Sequence, residues 1–266
     1  MGAVDDIPSD SPTALVTGAS SGIGKEIARY LTQQGYRVVA VARRAERLEQ
    51  LRDECEPGLI EPLALDLLAP EALQELLSTY TTSERLPNIV VNNAGFGMNG
   101  PFIASDEERF QNLVQLDFVV PLRLCRSFGD AMASRGQGKI LNVASVAGFI
   151  SAPYHAVYSA TKAAFLSFSE AVHVELKSSG VTVSCLCPGV TETEFFEAGG
   201  YNTDSPVYRV QRASAQSVAI AGINGLLKGR PCIVPGLSNR SLIFLARILP
   251  RAWVTRIAGR VMNTNR

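Results

Sequence analysis

TALVTGASSGIGKEIARYLTQQGYRVVAVARR, residues 13–44, carries the architecture in miniature. The uncharged run 13–17 reads as a buried strand. A glycine-rich turn leads into an amphipathic helix over 23–34, which Gly35 ends, and 36–42 is a second strand. Strand, helix and strand in so short a span form a βαβ unit, with a right-handed crossover and parallel strands. In the turn, Gly18 permits the tight bend, Gly22 lets backbone approach a pyrophosphate, and Gly24 lets the helix pack near the strand; Ser20, Ser21 and Ile23 fill the places between. Free N–H groups at the helix start then face the phosphates. The spacing is G-x-x-x-G-x-G rather than G-x-G-x-x-G, and a glycine-rich turn without a ligand is the competing reading.

The pattern repeats down the chain. Helices are expected over 44–55, 70–80 (with Pro70 in its first turn), 106–134, 157–178 and 214–228. Strands are expected over 59–66, where Pro62 weakens the signal, then 88–95, 139–145, 181–187 and 231–234. Residues 190–212 read as irregular and aromatic. Seven strands alternating with helices predict a doubly wound parallel sheet in one domain over 13–236, after a disordered polar leader over 1–12 and before a basic amphipathic extension over 237–266. With 46% hydrophobic and 19% charged residues, a sizeable core can form. Uncharged apolar runs fall far short of the roughly 20 residues of a spanning helix, and residues 1–12 lack the apolar segment of a signal peptide. Five cysteines, an odd number, argue against a disulfide framework and for a reducing, cytoplasmic compartment. Cys185 and Cys187 read as small buried hydrophobes, and two histidines without a Cys/His cluster predict no metal site.

The end of the second strand bears on which dinucleotide the turn would take. A carboxylate there binds the ribose 2′-hydroxyl of NAD. Here Ala42-Arg43-Arg44 offers no acid, and the guanidinium of Arg43, with Arg44 beside it, suits a 2′-phosphate and hence NADP(H). The alternative is that both arginines decorate a helix start. Farther on, Tyr158 and Lys162 stand four apart in YSATK and share a helix face. Ser145 closes the 139–145 strand, and the carboxyl ends of parallel strands are where such sheets bind ligands. Hydride delivery to a carbonyl leaves an alkoxide that needs a proton. A free phenol, with a pKa of about 10, shuttles protons poorly near neutrality, and an adjacent ammonium stabilises the phenolate. In that chemistry Tyr158 is the acid in reduction and the base in oxidation. Lys162 tunes it and holds the nicotinamide ribose, while Ser145 orients the carbonyl.

TGASSGIG (17–24), Asp66, NNAG (92–95), Ser145, Tyr158-x-x-x-Lys162, and Pro188-Gly189 with Thr191 and Thr193 follow one another in this order. On these motifs the chain resembles the short-chain dehydrogenase/reductases over about residues 13–235. The resemblance implies a Rossmann-type fold and a small-molecule alcohol or carbonyl substrate. It places Asp66 against adenine and Asn93, Ala94 and Gly95 along the cofactor, with segment 188–193 closing over the nicotinamide and phosphates. It also implies a homodimer or homotetramer joined through the two long helices. One position departs from the pattern. Where the family carries an asparagine that links the lysine to solvent through a kink and a water, LVQLDFVVPL places Asp117. An ionised aspartate accepts from that water but cannot donate; Asp117 is expected to stay in the relay.

Other classes are weighed on the same residues. No G-x-S-x-G elbow supports a Ser–His–Asp hydrolase. A non-catalytic dinucleotide sensor or scaffold, and an epimerase or dehydratase, remain possible on this fold. His155 lines a pocket or merely starts a helix; His173 packs or lies at an interface. Phe149, Tyr154, Phe195, Phe196, Tyr201 and Tyr208 cluster around the expected mouth, as pocket or as packing, and Gly199-Gly200 offers a hinge. The net charge of zero is segregated: residues 1–204 hold all 25 acidic residues and 15 basic ones, while 205–266 hold ten basic residues and no acid. The stretch 239–262, broken at Pro250, either packs on its own or a sister subunit, lies on an anionic membrane surface, or lends charge to an anionic substrate. No nucleic-acid partner is expected.

Overall fold

The computed structural model describes residues 11–201 and 212–262. Along the chain run β1 (Thr13–Thr17), α1 (Gly22–Gln33), β2 (Arg37–Ala42), α2 (Ala45–Asp53), β3 (Ile60–Ala64), α3 (Pro70–Tyr80), β4 (Ile89–Asn92), α4 (Glu107–Val114) and α5 (Val120–Arg135). There follow β5 (Gly138–Val143), α6 (Ala156–Leu176), β6 (Val181–Leu186), β7 (Thr191–Glu192), α7 (Phe195–Ala198), β8 (Ala213–Ser214), α8 (Ala215–Leu227), β9 (Cys232–Ile233), α9 (Leu237–Ile248) and α10 (Arg251–Met262). Seven strands form one sheet in the order β3-β2-β1-β4-β5-β6-β9, every pair parallel. The chain builds outward from β1 to β3, then returns to place β4 on the other side of β1. That reversal opens the crevice at the carboxyl ends of β1 and β4 where such sheets take ligands.

The period of two divides each strand between two layers. Ala14 and Val16 of β1, Val38 and Ala40 of β2, and Ile89 and Val91 of β4 pack with Ile27 and Leu31 of α1, Leu48 and Leu51 of α2, and Val218 to Leu226 of α8. Leu15, Val39, Val41 and Val90 face the other way, onto Leu73 to Tyr80 of α3 and Val120, Leu124, Phe128 and Met132 of α5. Pro62 lies opposite Ala40 on β3, an edge strand, where a missing N–H is tolerated. Polar side chains also stitch the core: Asn92 donates to Asn142 (2.8 Å), and Asn142 donates to Ser169 on α6 (2.9 Å). His173 packs on the sheet, with Nδ1 2.6 Å from Val183 O. All five cysteines are free, Cys185 and Cys187 fully buried with sulfurs 3.7 Å apart.

Several elements differ from the reading of the sequence. The single helix expected over 106–134 is α4 and α5 joined by a π-helical turn, Gln115–Val119, which carries Asp117. The strand expected over 88–95 ends at Asn92, because residues 93–95 leave the sheet to meet the glycine turn. Within the stretch expected to be irregular, Thr191 and Glu192 pair in parallel with Ala213 and Ser214. The extension forms two helices that part at Pro250. Most of the expected leader lies outside the described residues, as does Tyr208.

Phe128 has no exposed surface within its layer. Phe128→Ala should lower stability by about 3–5 kcal/mol, read as an earlier urea midpoint at unchanged m-value. A loss under about 1 kcal/mol would place this ring outside the core.

Candidate active site

Backbone bends where β1 meets α1 because side chains cannot. Gly18 has φ +69°, and a Cβ there would stand 2.7 Å from Asn93 Nδ2; one on Gly24 would overlap the same nitrogen. Asn93 donates that amide to Thr17 O (3.0 Å). Thr17 Oγ1 in turn accepts from the N–H groups of Asn93 and Ala94, at 3.0 and 3.1 Å. One hydroxyl thus binds the loop after β4 to the glycine turn. Gly22, at φ +54°, meets the methyl of Thr193, where a Cβ would come within 2.8 Å. Segment 188–193 therefore already lies over the turn, braced by the Thr191 hydroxyl donating to Gly189 O (3.0 Å). Ile23 packs inward on the core. Asp66 lies exposed past β3, its carboxylate accepting from Leu68 N–H (3.0 Å).

Beside the turn, two arginines meet a carboxylate of the same chain. Arg44, not its neighbour Arg43, bends back onto the turn and donates to Ser20 Oγ (3.0 and 3.2 Å) and Ser21 Oγ (2.8 Å). Arg43 is exposed. Glu194, just beyond the closing segment, pairs with Arg44 at 2.9 Å and with Arg47. Hydrogen bonds from Arg47 and Arg44 hold its carboxyl below the usual range. Two guanidiniums thus converge on one carboxylate, and two serine hydroxyls hold one of them in place.

The second cluster sits at the ends of β4 and β5. Ser145 Oγ accepts from Ala147 N–H (3.1 Å), which fixes its rotamer, and its hydroxyl favours ionisation of the Tyr158 phenol. Lys162 projects from the same face of α6; its ammonium is 5.7 Å from the centre of the Tyr158 ring, donates to Val143 O (3.1 Å) and stands 3.1 Å from Asp117 Oδ2. The other carboxylate oxygen accepts from Phe96 N–H (3.0 Å). Asp117 and Lys162 are both nearly sealed from solvent. Burial raises the pKa of Asp117 despite the opposing pull of Lys162. For Lys162, burial acts to discharge the ammonium, but Asp117 and Tyr158 outweigh it and hold the pKa above its ordinary value. Burial also raises the Tyr158 phenol; Lys162 opposes this, Asp117 adds to it, and Ser145 opposes it. The three groups therefore form one electrostatic unit.

Aromatic rings roof this unit. Phe195 lies 5.5 Å from Tyr158, centre to centre, and packs with Phe196 and Tyr201 at 5.6 and 5.9 Å. His155 stacks on Tyr201 at 5.0 Å, and burial lowers its pKa to about 4, so it is neutral at physiological pH. Phe149 instead lies under Arg247 of α9. Tyr154 has φ +65°, and its carbonyl accepts from Gly100 N–H (2.9 Å). The sequence reading passed over Thr17, Arg47, Glu194 and Asn239. The side chain of Asn239, on α9, fills the space where a Cβ of Gly189 would go. Only Thr17 carried a signal, as the first residue of the glycine motif; the others act through contacts distant in sequence.

A family model described as short chain dehydrogenase matches residues 12–202. An uncharacterized oxidoreductase of Myxococcus xanthus is 35% identical over 184 residues, covering 68% of this chain and 73% of that protein. The probable oxidoreductase EphD of Mycobacterium tuberculosis is 28% identical over 254 residues; they cover 89% of this chain but only 43% of EphD. Among solved structures, a short-chain dehydrogenase from Sphingobium yanoikuyae in complex with NADPH superposes with a TM-score of 0.78 at 29% identity, covering 91% of this chain and 97% of that one.

Asp117 is the group whose removal should move both of its neighbours. Asp117→Asn deletes the charge that raises the Tyr158 phenol, so Tyr158 should ionise at lower pH than in the parent protein; ultraviolet titration of tyrosinate against a Tyr158→Phe blank reads this. Asp117→Ala should cost about 3–5 kcal/mol in unfolding free energy, because it strands a buried ammonium. An unmoved or raised phenol pKa in the Asn variant would refute the coupling.

Proposed function

The chain belongs to the short-chain dehydrogenase family, and from that premise we propose that it is an NADP(H)-dependent oxidoreductase interconverting an alcohol and a ketone or aldehyde. The observation that carries this reading is the buried Tyr158 ring with the Lys162 ammonium 5.7 Å from its centre, one helical turn on, and Ser145 just past the end of β5. A nicotinamide supplies or takes up the hydride when bound. Tyr158 delivers a proton to the oxygen of the reduced carbonyl and withdraws it in oxidation. Lys162 stabilises the phenolate against burial and is the residue that would hold the nicotinamide ribose. Ser145, with its oxygen already accepting from Ala147 N–H, keeps its proton for the substrate oxygen. Asp117 holds Lys162 charged within the buried pocket.

The residues fit a phosphorylated dinucleotide. The turn of Gly18, Gly22 and Gly24 keeps bare backbone where any Cβ would clash. No acid stands at the end of β2, and the Arg44, Arg47, Ser20 and Ser21 corner already takes a carboxylate, as an anion site for a 2′-phosphate would. The NADPH carried by the Sphingobium relative is in accord. Asp66, Asn93, Ala94, Gly95 and segment 188–193 would complete the cofactor groove. The rings of Phe195, Phe196 and Tyr201 favour a partly apolar substrate. Pairing of copies through α5 and α6 would give a homodimer or homotetramer, and the five free thiols suit a reducing, cytoplasmic setting.

Following NADPH absorbance over steroid, retinoid, acyl and small-carbonyl panels tests the activity; tight binding without turnover on any of them would favour a sensor. Tyr158→Phe should abolish turnover while NADPH affinity stays within about threefold of the parent, whereas loss of both would point to misfolding. NADPH should bind at least roughly tenfold tighter than NADH, the scale of one good charged contact. Arg44→Ala should erase most of that preference in a fluorescence titration, and equal parental affinities would refute the assignment.

A further inference from the structure

Of the large apolar side chains exposed among the described residues, most lie in one place: Leu237, Leu242, Phe244, Leu245, Ile248, Leu249, Trp253, Ile257 and Val261. On α9 the inward face is Ile243, buried, with Asn239 and Ala246 half-buried beside it. The outward stripe is Leu237, Phe244, Leu245 and Ile248, which recur at the helical period directly opposite, with Phe244 and Ile248 63% and 61% exposed. This helix is therefore apolar on the side that faces away from its own domain. On α10, Val254, Thr255 and Ala258 turn inward, while Trp253 and Ile257, one turn apart, point out among Arg256 and Arg260. Residues 237–262 contain five arginines and no acid. Among the described residues no carboxylate pairs with any of the five.

We infer that α9 and α10 dock the protein flat on an anionic lipid surface. An apolar stripe bordered by arginines, with a tryptophan at its rim, is the composition that lies in the headgroup layer. Neither helix is long and apolar enough to cross a membrane, so the pair lies in the interface plane. Pro250 lets the two helices adopt separate inclinations. Charge decides between a lipid surface and a second copy. A symmetric contact between two copies of this face would set the outward guanidiniums of Arg256 and Arg260 against their own counterparts and supply no carboxylate to either side. Anionic headgroups match that charge directly. Arg240, donating to Val234 O (2.9 Å), and Arg247, over the Phe149 ring, anchor α9 to the domain, which leaves Arg256 and Arg260 oriented with Trp253.

The chain has one tryptophan, so its fluorescence reports this face alone. With vesicles of phosphatidylcholine and phosphatidylglycerol in 0.1 M salt, the full chain should cosediment and Trp253 emission should shift to the blue. Pure phosphatidylcholine vesicles should produce neither effect, and 0.5 M salt should weaken both. Arg256→Gln with Arg260→Gln should weaken partitioning roughly thirtyfold. Phe244→Ser with Ile248→Ser should abolish it, both pairs keeping the parent circular dichroism because the altered side chains are exposed. Absence of binding to the anionic vesicles, equal binding to the neutral ones, or a blue shift that grows with protein concentration without lipid, the mark of a second copy, would each overturn the inference.

Discussion

A sealed ammonium and a sealed carboxylate stand 3.1 Å apart between the long helices, and the site is arranged around them. Removing two such charges from water costs several kcal/mol each unless their remaining capacity is met. Here Lys162 also donates to the end of β5, and Asp117 also accepts from the backbone after β4. The pair therefore pins α6 and the π-helical turn to the carboxyl ends of two neighbouring strands. The turn itself is the local consequence: widening the helix by one residue per turn brings residue 117 inward, toward the lysine. Tyr158, one turn before Lys162, inherits its position and its electrostatics from this arrangement.

Much of the framework is legible in the sequence because it rests on short-range rules. Uncharged runs bounded by glycine and proline mark the strands, and their alternation with amphipathic stretches dictates a parallel sheet. The errors fall where a distant contact overrides local preference. Local preference in LVQLDFVVPL does not announce a π-helical turn; only the family resemblance marks a kink there, and the turn sets Asp117 against a buried lysine of α6. Residues 93–95 look like strand, yet Thr17 and Gly18 draw them out of the sheet. Arg43 and Arg44 are indistinguishable by type, so the bonds of Arg44 to two serines of another loop are not announced by the sequence. The convergence of Ser145, Tyr158 and Lys162 could be read, since a strand end and a helical spacing place them; Asp117 could be set beside the lysine only through the family resemblance, and the backbone partners Val143 and Phe96, from other elements, could not be read at all.

The closing segment couples the two halves of the groove. Thr193 rests on Gly22, Glu194 holds two arginines beside the turn, and Phe195 covers Tyr158, all within three successive residues. A displacement at any one of these contacts is felt at the other two, so the arginine cluster and the aromatic roof cannot adjust independently. Asn239 against Gly189 extends the coupling to α9. The extension is thus in direct contact with the segment that closes the site.

Gly95 shows how narrow this design is. A Cβ there would fall 2.7 and 2.8 Å from the two oxygens of Asp117. Positions 95 and 117 are therefore one unit of heredity: a larger residue at the first is admissible only after the second has been shortened, and shortening the second strands the lysine. An asparagine at 117 keeps the same bulk and leaves Gly95 free to persist, so across descendants the glycine should outlast the choice between acid and amide opposite it.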